Sequence, residues 1–109
     1  MTIQELIQAA HKMACEKGWY EGPARTFGDV CALLHSEVSE AFEEHRKGYP
    51  SCLIYTVDGK PEGIPIELAD LVIRIADFCG CKGIDLTKAI ETKMRFNATR
   101  PHRHGGKTV

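Results

Sequence analysis

The chain has 109 residues, 43% of them hydrophobic and 27% charged, which is the make-up of one globular domain with one core. Lys and Arg total 14 against 15 Asp and Glu, so the net charge of −1 argues against a general nucleic-acid or membrane-surface binder. No apolar run approaches the ~18 residues that span a bilayer, and MTIQELIQAAHK lacks the basic and apolar regions of a signal peptide, so a cytoplasmic location is expected.

A first helix is predicted over residues 3–17. Thr2 and Glu5 form a T-x-x-E capping box, the apolar residues from Ile3 to Ala14 recur at helical spacing, and Gly18 supplies a stop. His11 is expected on its surface. Residues 18–26 read as a loop around Gly22-Pro23. In that loop Trp19, the only tryptophan, covers the end of the core or stacks on a ligand base. A second helix runs from Thr26 or Phe27 to Lys47, capped by Thr26 and Asp29 and stopped by Gly48.

The second helix carries the first of two acidic pairs, Glu37-x-x-Glu40. At about 100° per residue, Val30, Leu34 and Ala41 fall to one side of Glu37 and Leu33 to the other. Glu37 therefore belongs to the arc that faces the core, with Glu40 at the arc's edge. His35 points away from this face.

Residues 48–63 break the helical pattern with Pro50, Asp58-Gly59 and Pro61. CLIYTV has strand-like composition, but one strand has no partner, so an ordered loop with a short extended piece is expected. Lys60 there reads as a solvated lysine within reach of a phosphate.

The third helix is predicted from Pro65 to Cys79, with Gly80 and Gly83 marking its end. It carries the second pair, Glu67-x-x-Asp70. Leu71 and Phe78 flank Glu67 on one side and Arg74 on the other, with Asp70 at the edge. Carboxylates in an apolar seam are costly unless paired, and four converging ones require a raised pKa or a cation. A hard, oxygen-seeking ion such as Mg²⁺ answers that need.

Asp85 caps a fourth helix over residues 86–99. Lys93, Asn97 and Arg100 share its arc with Leu86 and Ala89 and are expected to face inward. The tail, residues 101–109, is too rich in Gly and charge to pack as a helix and is expected to be flexible. His102 and His104, without further ligands, make a poor zinc site. The five cysteines contain no C-x-x-C pair. Cys31 and Cys79 lie on apolar helix faces and read as small core residues, and Cys79-Gly-Cys81 is a weak metal or redox signal.

The two pairs, with the surrounding SEVSEAFEEHRKG, GKPEGIPIELADLVIRIADF and KMRFNATRPHRHGGK, resemble the E-x-x-E…E-x-x-D signature of the MazG-like branch of the all-α nucleoside triphosphate pyrophosphohydrolases. The resemblance covers residues 1–107. It implies an all-α, four-helix MazG-like bundle that assembles as a homodimer or homotetramer. It also implies Mg²⁺-dependent hydrolysis of a (d)NTP to the monophosphate and pyrophosphate, in nucleotide-pool housekeeping. Glu37, Glu40, Glu67 and Asp70 would be the catalytic metal ligands for Mg²⁺, with Mn²⁺ as a substitute. Lys93 and Asn97 would hold phosphates or sugar, with Arg100 and Trp19 as further substrate contacts. The alternatives are a related enzyme for dUTP or phosphoribosyl-ATP, or a helical adaptor without chemistry. A ferritin-like di-metal protein requires Glu-x-x-His, and no His here has Glu three residues before it.

Overall fold

The computed structural model describes residues 1–109. The chain is predominantly helical: α1 (Ile3–Glu16), α2 (Phe27–Arg46), α3 (Ile64–Lys82) and α4 (Leu86–Thr99), with a hairpin of β1 (Tyr55–Val57) and β2 (Lys60–Glu62) between α2 and α3. No helix is long and apolar enough to cross a membrane.

Both predicted capping boxes form. The Thr2 hydroxyl accepts from the Glu5 amide at 3.0 Å and the Glu5 carboxylate from the Thr2 amide at 3.1 Å. Thr26 and Asp29 do the same at 3.1 and 2.9 Å. Each box satisfies two amides that the first turn of a helix leaves open, which fixes where the helix starts and hence its phase.

α3 is the central element, packed against α1 on one side and α2 on the other. The core is small: Ile7, Ala10, Ala76 and Cys79, with Ile3, Leu6, Ile75 and Leu86 against it. The predicted stop at Gly80 is a packing glycine instead. A Cβ there would sit 2.6 Å from the His11 Cβ, so only glycine lets α1 and α3 approach this closely. α3 continues to Lys82, and the left-handed Gly83 closes it.

The predicted loop over residues 48–63 contains a strand pair. Its second strand, Lys60-Pro61-Glu62, is short, charged and interrupted by proline, which hid it from a composition reading. Asp58 and Gly59 both have positive φ, 50° and 81°, the two-residue turn that matches the twist of antiparallel strands. The register sets Tyr55 opposite Glu62.

Only nine of the 109 residues are buried, and three of those are Glu37, Glu44 and Glu67. The radius of gyration is 16.6 Å, against about 13 Å for a compact domain of this length. α4 contributes no buried residue, so the inward placement of Lys93, Asn97 and Arg100 is corrected: Lys93 and Asn97 are exposed and Arg100 is half-buried. The tail is exposed throughout. Residues Arg103–Gly106 make one irregular turn in which His104 and Gly105 leave helical geometry.

Candidate metal centre

Glu37 projects from the middle of α2 and Glu67 from the first turn of α3, where the helices lie side by side. Each offers a carboxylate oxygen within 4.8 Å of the other and of one from Asp70. Glu37 and Glu67 are buried, and Asp70 is exposed at the rim. Glu40 is exposed on α2, one turn beyond Glu37, and near enough to Glu67 to help raise its carboxyl. Three of the four acidic residues singled out in the sequence therefore group their oxygens in one place, with Glu40 beside Glu67 but outside that group.

Arg74 Nε donates to Glu37 Oε1 at 2.6 Å. The other oxygen, Glu37 Oε2, is fully buried and has no hydrogen-bond partner. A buried carboxylate oxygen without a partner is costly and uncommon in folded proteins.

Burial pushes the Glu67 carboxyl up to about 7 from its usual 4.5, reinforced by Glu40 beside it and by the charges of Asp70 and Glu37. Its place at the α3 N-terminus favours the carboxylate, but burial and like charge outweigh the helix end. A divalent cation would reverse this balance by meeting the carboxylates directly.

A second triplet shares Glu67. Glu44, Glu62 and Glu67 also offer oxygens within 4.8 Å of one another. Here Glu44 and Glu62 are already served. Tyr55 donates its hydroxyl to Glu44 Oε2 at 2.7 Å, and Lys47 Nζ donates to Glu44 Oε1 at 3.4 Å. Lys60, read as a solvated lysine, pairs with Glu62 at 3.3 Å. This group fastens the hairpin to α2. Glu44 lies seven residues after Glu37, two helical turns along the same face, so its burial could have been read from the sequence.

A recess of about 250 Å³ beside the carboxylates is lined by Trp19, Arg25, Glu37, Asp70 and Arg74, among others. An adjoining cavity of about 170 Å³ shares Trp19, Arg25 and Arg74 and adds Leu33, Leu34 and Phe78. Trp19 is 64% exposed, with the Arg25 guanidinium 5.9 Å from its ring centre, so it borders both spaces instead of sealing the core. No motif in the sequence marks Arg25 or Arg74 as a substrate contact.

Lys93 and Arg100 do not join these recesses. Lys93 Nζ lies 5.0 Å from the Phe96 ring centre and the Arg100 guanidinium 5.6 Å from it. Lys93 borders a separate open groove with Asp85, Lys88 and Thr92.

Comparison with family models, with curated proteins and with solved structures returned no match.

Proposed function

We propose that this chain is a Mg²⁺-dependent nucleoside triphosphate pyrophosphohydrolase of the MazG-like, all-α kind. The observation that carries the reading is the buried, partnerless Glu37 Oε2, on a carboxylate grouped with those of Glu67 and Asp70. A hard cation fits this all-oxygen set. Glu37, Glu67 and Asp70 would hold it, with Glu40 completing the set or orienting the attacking water. When bound, Mg²⁺, or Mn²⁺ in its place, supplies charge neutralisation at the phosphates and an acidified water.

The neighbouring side chains divide the remaining work. The cavity floored by Leu34 and Phe78 suits a base, and Trp19 at its edge offers a stacking face. Arg25 and Arg74 border both that cavity and the acidic recess, where their fixed charges can hold phosphate oxygens. The substrate is thereby laid from an apolar end to an acidic end, which positions the α–β bond near the carboxylates.

The direct test is a panel of (d)NTPs, dUTP and phosphoribosyl-ATP among them, with Mg²⁺ and with EDTA, assayed for pyrophosphate. Release from at least one triphosphate, abolished by EDTA, is the expected result. No release from any of them at micromolar protein over hours would overturn the reading.

The working unit is a homodimer or homotetramer. Val38 and Phe42 on α2, and Leu68 and Val72 on α3, form two exposed apolar strips with one-turn spacing, each residue about half exposed. With the sparse core and extended shape, these strips favour helix packing between subunits. A second subunit would also be the route by which Lys93, Asn97 and Arg100 reach a nucleotide. Sedimentation should show a species of at least twice 12.1 kDa at micromolar concentration. Replacing Phe42 and Val72 together with Glu should shift it to monomer and remove activity.

A further inference from the structure

α1 and α3 are joined by polar side chains to which the proposed hydrolysis gives no role, although Asp77 borders both recesses and Tyr20 one of them. His11 Nδ1 lies 2.9 Å from Asp77 Oδ1, and the Tyr20 hydroxyl donates to the same oxygen at 2.9 Å. The other ring nitrogen, His11 Nε2, lies 3.7 Å from the thiol of Cys15. His11 was expected to be a surface residue; it is half-buried, held by Asp77 and packed against Gly80. The Tyr20 ring meets the imidazole edge-on at 5.0 Å between ring centres.

This network determines the imidazole's chemistry. A carboxylate can only accept, so Nδ1 carries the hydrogen bonded to Asp77 and the neutral ring leaves Nε2 bare. A bare Nε2 facing a thiol is a general base in place. Nucleophile, base and orienting carboxylate stand in the order that activates cysteine on unrelated folds. Cys79 and Cys52 provide the contrast, while the exposed Cys81 lies beside Tyr20 and not beside the imidazole's Nε2. Cys79 is buried, and burial pushes its thiol up, which makes it inert. Cys52 is exposed and has no side-chain hydrogen bond. Cys15 combines an exposed thiol with a contacting imidazole. It sits in the last turn of α1, one turn after His11. Reactivity there rests on transfer of the proton to His11, not on a stabilised free thiolate.

We propose that Cys15 is a nucleophilic thiol site, activated by His11 and Asp77, that exchanges with low-molecular-weight disulfides. The Cys15 proton passes to His11 Nε2 as the sulfur attacks one sulfur of the disulfide. A new S–S bond forms at Cys15 as the old one breaks. The leaving sulfur keeps the electron pair and takes the proton from His11. Cys15 is oxidised to a mixed disulfide and the departing half is reduced to a thiol, so no further oxidant enters. Asp77 acts as a positioning residue, since it holds the ring and its tautomer.

The test uses the full chain and the neutral probe 2,2′-dipyridyl disulfide at pH 7, with the rate at each cysteine followed by peptide mass spectrometry. Cys15 should react at least about tenfold faster than Cys52, a threshold set below the ~10²–10⁴-fold that a positioned base typically contributes. In His11→Gln that excess should fall to within about twofold of the Cys52 rate. In Asp77→Asn it should fall while the Cys52 rate stays constant, which a general loosening of structure would not produce. Circular dichroism and thermal melting show which variants are folded. A wild-type Cys15 rate no greater than that of Cys52 overturns the proposal, whatever the variants do. So does a folded His11→Gln that keeps the excess.

Discussion

In Glu67→Ala, pyrophosphate release is expected to fall to background and the thermal response to Mg²⁺ to disappear, with the protein still folded. Glu37→Ala, Glu40→Ala and Asp70→Ala should also lose activity. If the wild type binds Mg²⁺ only when folded, saturation at about 100 times Kd adds about 2.7 kcal/mol. For a domain of this size that is a rise in Tm on the order of 10 °C. Without Mg²⁺ the variants should melt close to the wild type. Each loses a carboxylate that repels its neighbours, against a loss of about 0.8 kcal/mol per buried methylene. Glu37→Ala also frees Arg74, whose side chain is 39% exposed and can be solvated. Thermal melts with EDTA and with Mg²⁺, paired with pyrophosphate assays, give both readouts. A wild type that gains nothing from Mg²⁺, or a fully active Glu67→Ala, would remove the acidic pairs from the chemistry.

Stability without metal should fall as pH rises, contrary to the usual behaviour of a carboxylate. Glu67 is raised from 4.5 to about 7 by burial, then by Glu40 and the other neighbouring charges. Between those values the folded chain holds a proton that the unfolded chain has released. Stability therefore decreases across the interval and levels off above it, by as much as about 3 kcal/mol. The other shifted carboxylates act elsewhere. Glu5 and Asp29 are lowered by their capping hydrogen bonds, so their contribution is lost only as pH falls below the ordinary carboxylate range. Urea denaturation in EDTA at pH 5 and pH 8 isolates Glu67. The wild type should be the less stable at pH 8, and Glu67→Gln should show little difference. Mg²⁺ should reverse the wild-type slope, because its ligands bind deprotonated. Equal pH dependence in wild type and Glu67→Gln would show that Glu67 is not held protonated.

The helical phases of Glu37 and Glu67 were readable because burial on a helix follows a period that flanking apolar residues reveal. Their counter-ion was half readable. The wheel set Arg74 beside Glu67, but its bond to Glu37 crosses between helices and depends on how α2 lies on α3. The hairpin was missed because Lys60-Pro61-Glu62 becomes a strand only through its pairing with Tyr55–Val57. His11 was misread for the same reason: its partner lies 66 residues away. The polar arc of α4 was read as inward because its phase matched Leu86, but a single subunit leaves that helix without a buried residue.

Arg74 already gives Glu37 a positive charge, at 2.6 Å and tethered to the same fold. An ion that takes both oxygens of Glu37 must compete with that guanidinium. A monovalent ion brings no more charge than the arginine and, unlike it, must give up its freedom in solution to bind. A divalent ion doubles the attraction to Glu37, Glu67 and Asp70. In the proposed site the arginine would therefore weigh against singly charged ions that need both Glu37 oxygens, while Oε2, which it does not touch, stays open to a cation.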